Sequence, residues 1–254
     1  MNINEILHLS TYAGKIMLEN GAEAYRVEET MNKISEALGI EIPDCYATPT
    51  VIIASAFHKG ETKSLVVRIN KRSVDLQKVH EVNDLARNIK NKDYGIEEIK
   101  NKLEEIDKEV RYSNKVTILF SAIGAFAFVF LFGGSLRDAI SALIIGFIVK
   151  TFDILFQKIN LNSFFTTIFC SSILAFIAIL TKKYGFSDDM DKVIIGSIML
   201  LVPGLAITNA IRDTIAGDLV SGMARGVEAF LTAIAVAVGT GVVLSFWLSR
   251  FGGI

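Results

Sequence analysis

The hydrophobic positions change their period along the chain, and each change marks an element. Ile6, Leu7, Ala13, Ile16 and Met17 recur at helical spacing, so a first helix has one apolar face. Gly21 follows Asn20 and is placed to end that helix, because glycine accepts the left-handed conformation of a helix stop. A second helix is predicted over Tyr25 to Leu38, with Val27, Met31, Ile34 and Leu38 on one side and Gly39 as its stop. After Pro43 the period shifts. Cys45–Phe57 and Thr62–Asn70 are rich in β-branched residues, and His58-Lys59-Gly60-Glu61 between them reads as a hairpin turn. Leu76–Ile89 returns to helical spacing, and Ile96–Val110 is a charged helix with Ile99, Leu103 and Ile106 along one side. These elements predict a small α+β head of about 110 residues, enough to bury a core of its own.

Beyond Lys115 the texture becomes that of a membrane. Apolar segments run over Val116–Phe132, Ala139–Phe156, Phe164–Leu180, Val193–Ala210 and Val227–Leu248. Each is close to the roughly 17–25 residues a helix needs to cross a bilayer. Backbone groups in hydrocarbon must be satisfied within the segment, so these runs are helices. The expected fold class is an α-helical membrane bundle of about five transmembrane helices preceded by a small α+β cytoplasmic domain. Its expected boundaries are 1–112 for the head and 113–254 for the membrane part. Lys150 and Asp153 interrupt the second segment; as i, i+3 neighbours they pair or sit at the interface.

Composition supports that division. Of the 53 charged residues, 36 lie in the first 115 positions, and the net charge is −1. Neither part has the basic excess that nucleic acid would require. Lys108, Arg111 and Lys115 before the first segment place the head inside the cell. Lys150 and Lys158 in one later loop and Arg212 and Arg225 in another agree. Lys182, Lys183 and Lys192, accompanied by Asp188, Asp189 and Asp191, disagree, and five crossings would then leave Ile254 outside. The first residues, Met1-Asn2-Ile3-Asn4-Glu5, have no basic stretch leading into an apolar one, so no cleavable signal is expected. Cys45 and Cys170 fall one in each part and read as free thiols. His8, His58 and His80 are scattered, so no metal is indicated, and no cofactor or phosphate-binding loop is present. Ser55, His58 and Glu61 lie close in sequence, but strand alternation does not build a triad from them, and no enzyme is expected.

One stretch carries candidate chemistry. Pro203-Gly204 sits inside an apolar run, where the missing amide and the loosened backbone can break a helix and expose groups to a ligand. Asn209, Arg212 and Asp213 then share a helical face, and Arg225 and Glu228 repeat an i, i+3 relation at the start of the last segment. An arginine can hold a substrate carboxylate through parallel hydrogen bonds. A buried carboxylate with a raised pKa can take and release a proton. The same charges could instead be interfacial and only fix orientation.

Two separated motifs resemble the threonine/serine exporter family. The first is Gly21-Ala22-Glu23-Ala24-Tyr25-Arg26-Val27-Glu28-Glu29, followed by Ala37-Leu38-Gly39. The second is Leu201-Val202-Pro203-Gly204 with Asn209, Arg212-Asp213, Gly217-Asp218, Ser221-Gly222, Arg225 and Glu228-Ala229. The resemblance implies a bacterial inner-membrane exporter of a small carboxylate-bearing metabolite, either threonine and serine or a dicarboxylate such as succinate. Some members are split, so it also implies a smaller integral-membrane partner subunit and an oligomer in the bilayer. Its motif carries over to Pro203, Gly204, Asn209, Arg212, Asp213, Gly217, Asp218, Arg225 and Glu228, and charge chemistry makes these the candidate substrate-binding and translocation residues. Their chemistry suggests Arg212 and Arg225 for the carboxylate and Asp213, Asp218 or Glu228 for protons. The alternative is a membrane-anchored sensor or scaffold without transport.

Overall fold

In the first helix, α1 (Ile3–Glu19), the apolar face ends where Gly21 adopts φ 95°. The Ala22 amide reaches back to Met17 O at 3.0 Å and the Gly21 amide to Leu18 O at 3.4 Å, which closes a Schellman turn. The second helix, α2 (Ala24–Ala37), stops in the same way at Gly39, φ 89°. This computed structural model describes residues 3–110 and 112–252. Expectations resting on Met1, Asn2, Arg111 and Ile254 lie outside the described residues.

The apolar stretch expected as one strand over Cys45–Phe57 is two. Strands β1 (Ile42–Thr48) and β2 (Val51–His58) pair antiparallel with Thr48 opposite Val51, so Pro49-Thr50 forms the turn. Proline cannot donate to a ladder and its fixed φ suits a turn, which divides the run there. The next turn lies where the sequence predicts it. Lys59 and Gly60 both have positive φ, 51° and 82°, and carry the chain into β3 (Glu61–Arg68) with His58 opposite Glu61. The sheet order is β1-β2-β3. Helix α3 (Leu76–Lys92) starts on the Asp75 carboxylate, which accepts from the Gln77 and Lys78 amides, and α4 (Ile96–Lys108) follows. Ile16 and Met17 of α1, Val27, Met31 and Ile34 of α2, Ile52 of β2, Val82 of α3 and Ile99 and Leu103 of α4 form one buried core. Ser55 and His58 do not meet as a catalytic pair: Ser55 Oγ is bonded to Ser64, and His58 Nδ1 lies 3.6 Å from Glu41.

Among the described residues four helices are long and apolar enough to cross a membrane: α5 (Asn114–Leu131), α6 (Leu136–Lys158), α7 (Ser163–Lys183) and α10 (Leu219–Phe251). The stretch Val193–Ala210, expected as a span that Pro203-Gly204 can break, is not one helix. It divides into α8 (Met190–Ile198) and α9 (Gly204–Ala216), and the helix restarts immediately after Pro203. Proline fits ahead of a helix start, where its missing amide costs nothing, and does not fit inside one. Four continuous spans plus an interrupted segment therefore replace the expected five.

By internal contacts the chain divides into two compact units. One comprises 1–109 and 204–227, the other 110–203 and 228–254. In the second unit small residues let helices approach closely, as membrane packing requires. A Cβ on Gly146 would stand 3.0 Å from Ala122 Cα on α5, and one on Gly196 the same distance from the Val129 backbone. Ser172 of α7 donates across to Gly239 O of α10 at 3.1 Å. Lys150 and Asp153 do pair, at 2.7 Å, and Gln157 also donates to Asp153. Asp138 is buried because it accepts backbone amides of Ser135, Asp188 and Asp189, so its charge ties a helix start to a loop.

Gly239 is the tightest of these contacts. An added Cβ would lie 2.4 Å from Ile168 O, a backbone atom that cannot rotate aside. Gly239→Ala should lower the unfolding free energy of the detergent-solubilised protein by about 1–3 kcal/mol, the usual cost of overpacking. Gly241→Ala, with open space around it, should not change it measurably.

Candidate functional site

The two sequence motifs meet within the first unit. The turn Gly21-Ala22-Glu23-Ala24 joins α1 to α2 and leaves carbonyls and an amide without helical partners, and buried backbone groups must find others. Helices α9 and α10 supply them. Asn209 Nδ2 donates to Gly21 O at 2.8 Å, and Arg225 donates to Ala22 O at 2.7 Å. The Ala24 amide, first in α2, donates to Asp213 Oδ1 at 3.0 Å. Glu23, in the N-cap position, makes no side-chain cap of its own. Asp213 thus caps α2 from a residue 189 positions away, with its negative charge at the positive end of the helix dipole.

An ion pair underlies this arrangement. Asp213 Oδ2 lies 2.9 Å from Arg225 Nε, with the side chains 0% and 10% exposed. Spacing alone had put Arg225 with Glu228 and Asp213 with Asn209; the fold pairs Arg225 with Asp213 across the α9–α10 turn. That turn depends on Gly217, at φ 98°, whose amide bonds to Thr214 O while Asp218 N bonds to Asp213 O. Asp218 is the residue immediately before α10, so Gly217 and Asp218 shape the turn. Gly222 completes the fit, since a Cβ there would meet Ala210 O and Thr214 N at 3.0 Å.

The edge of the sheet is bound as well. Strand β1 lies at the edge, and on its free side the Ala47 amide donates to Glu28 Oε1 at 2.7 Å. Ala47 O accepts from Ser221 Oγ at 3.2 Å. Satisfying both groups also blocks that edge from pairing with another strand. Neither Glu23 nor Glu28 stands out by spacing as a partner of these late helices, although both lie in the first motif.

Electrostatics separate the acids. Burial pushes the Asp213 carboxyl up; the Ala24 amide and Arg225 oppose this, and Asp218 and Glu23 add to it. Burial likewise pushes Glu28 up, the Ala47 amide opposes, and Asp218, Asp44 and Asp213 add to the rise. For Glu23 burial is outweighed. Its own backbone amide, a hydrogen bond from Arg212, and the charges of Arg26 and Arg212 hold its carboxyl below the ordinary value.

Of the nine residues singled out by sequence, four are brought together around the turn: Asn209, Arg212, Asp213 and Arg225. Arg212 donates to Glu23 Oε1 at 2.6 Å and is the accessible member, its side chain 57% exposed. Gly217 and Asp218 form the turn between the helices, and Pro203 and Gly204 form the start of α9. Glu228 lies in the part of α10 that belongs to the second unit and is exposed. Two grooves of the head, one between α1 and α4 and one between α3 and α4, are lined by none of the nine. Among the described residues no group of three His, Cys, Asp or Glu is placed to hold a metal.

Removing one member of the buried pair strands the other. Asp213→Ala should cost about 3–5 kcal/mol in unfolding free energy, measured by denaturation in detergent. Asp213→Asn keeps an acceptor for the Ala24 amide and should cost less. Glu23 gives a pH prediction of definite sign. With its folded pKa lowered, its stabilisation is present above the unfolded value near 4.5 and is lost as pH falls through the folded value. Melting temperatures between pH 7 and pH 3 should therefore fall less steeply on acidification for Glu23→Gln than for the unaltered protein.

Known proteins are similar in sequence along nearly the whole chain. The profile of the family described as "Putative threonine/serine exporter" matches residues 8–247. A "Probable succinate transporter subunit YjjP" of Klebsiella aerogenes is 22% identical over 236 residues, covering 91% of this chain and 90% of that protein. The protein of the same name from Escherichia coli K12 is 22% identical over 245 residues, 95% of this chain and 94% of that one. A "Probable threonine/serine exporter" of Mycobacterium tuberculosis is 22% identical over 239 residues, 92% of this chain but 45% of the longer protein. No solved structure matches. With both motifs inside the matched region and several membrane-length helices behind the head, this chain belongs to the threonine/serine exporter family of membrane transporters.

Proposed function

We propose that this chain is the larger subunit of a secondary exporter that moves a small carboxylate-bearing metabolite out of a bacterial cell across the inner membrane. The observation that carries this is Arg212. It is a half-exposed guanidinium on α9, already holding a carboxylate end-on, beside a buried polar cluster. Threonine, serine and succinate, the compounds in the relatives' names, each present a carboxylate to such a group. The geometry favours a division of labour between the two arginines. Arg225, buried and bonded to Ala22 O and Asp213, positions the turn, and Arg212 receives the substrate.

The head lies in the cytoplasm in this reading, supported by Lys108 and Lys115 before the first span. A smaller membrane partner is supported by the word "subunit" in two relatives' names and by bare apolar surface. Ile211, Ile215 and Met223 on α9 and the start of α10 are exposed, as surfaces facing lipid or another membrane protein are. The test is the distribution of threonine, serine and succinate in cells lacking this gene and its partner, and after re-expression of both. One of the three should accumulate inside the deleted cells and appear outside on re-expression. If none of them moves, the export reading is wrong.

A further inference from the structure

The contacts holding the 21–24 turn differ in kind. Three are sealed, with Asn209 at 3%, Asp213 at 0% and Arg225 at 8% exposure, and all three act on backbone groups. The fourth, Arg212 with Glu23, joins two side chains and is open to solvent on the arginine side. Removing Glu23 from Arg212 therefore leaves the backbone contacts of the turn in place.

Glu23 also has a second cation within reach. Its Oε1 accepts from Arg212 at 2.6 Å, while its Oε2 lies 3.6 Å from Arg26 Nε, one turn along α2. A carboxylate that leaves Arg212 can settle on Arg26, so no buried charge is left unpaired, which is the usual obstacle to breaking such a pair. Arg212 meets Glu23 through a single terminal nitrogen, so its planar fork is not used in the two-point manner that a guanidinium offers a carboxylate. An incoming carboxylate can make both contacts.

We propose that Glu23 is a tethered stand-in for the transported acid: it occupies the Arg212 subsite when the transporter is empty and moves to Arg26 when a substrate carboxylate takes its place. This rests on the reading of Arg212 as the substrate's carboxylate seat and adds the residue that competes for it. Because the competitor is part of the chain, only a ligand carrying its own carboxylate displaces it well. Glu23 thereby sets a threshold: at the concentration where an acid displaces it, an isosteric amide or alcohol, which forms only neutral hydrogen bonds to a guanidinium, leaves it in place. Occupancy by Glu23 also raises the apparent KM, since affinity falls in proportion to the fraction of empty seats.

The experiment uses everted membrane vesicles carrying the full chain with its partner subunit, in which export is read as uptake of labelled succinate, threonine or serine. Glu23→Gln keeps the size of the side chain and removes the charge that competes. KM for the transported acid should fall at least about threefold, following the loss of self-occupancy. The preference for the acid over its amide should stay the same, because the fraction of empty seats scales both affinities alike. Arg212→Gln should raise KM in both the unaltered and the Glu23→Gln background. An unchanged or higher KM in Glu23→Gln vesicles that still transport overturns the stand-in role and leaves the exporter reading intact. If Glu23→Gln protein is absent from the membrane, Glu23→Asp, one methylene shorter and withdrawn from Arg212, is judged by the same KM criterion. Unaltered vesicles that take up none of the three compounds contradict the exporter reading itself.

Discussion

A carboxylate with no access to water, set between a helix N-terminus and a guanidinium, is the constraint on which the head depends. Asp213 can be ionised there only because the Ala24 amide and Arg225 both face it. Arg225 in turn is placed by α10, and α10 can return beside α9 only through the positive-φ turn at Gly217 and the close approach at Gly222. The α1–α2 turn, the α9–α10 turn and the edge of the sheet are thus held by one connected set of polar groups. Each satisfies a backbone atom that would otherwise be orphaned. Such networks define a single arrangement sharply, because a half-satisfied version costs more than either extreme.

The membrane-spanning unit works by the opposite physics. Hydrocarbon solvates apolar side chains as well as a neighbouring helix does, so packing depends on close approach of small residues and on hydrogen bonds across helices. Gly146, Gly196 and Gly239 supply the first, and the Ser172 bond to Gly239 O supplies the second. Its charged groups are mostly accounted for locally. Asp138 gathers backbone amides at a loop, and Lys150, Asp153 and Gln157 satisfy one another along a single helix. Arg212, an exposed guanidinium, lies in the other unit, beside the head's own motif.

Local features were legible wherever local physics decides them. The stops at Gly21 and Gly39 and the turn at Lys59-Gly60 follow from which residues tolerate positive φ, and they lie where the pattern of the chain predicts. Proline was harder to weigh. Pro49 divides a β-rich run that composition reads as one strand, whereas Pro203-Gly204 stands out as a break inside an apolar run and a new helix does start there. At the candidate site the identities of Asn209, Arg212, Asp213 and Arg225 were visible as a motif, but their partners were not. Spacing along one helix cannot show that Arg225 reaches Asp213 on another, or that their shared target is a turn nearly two hundred residues earlier. Glu23 was visible only as part of a motif, because its significance is a contact made in three dimensions.

The central claim is that the late polar motif holds the 21–24 turn, and amide hydrogen exchange tests it most directly. The first amide of a helix has no partner inside that helix, so protection at Ala24 depends on Asp213. Exchange should be slow for the segment 21–26 in the full-length protein. In Asp213→Ala and in Arg225→Ala it should become fast there, while peptides from α3 and α4 stay unchanged. Exchange that remains slow at Ala24 in both variants would contradict the account.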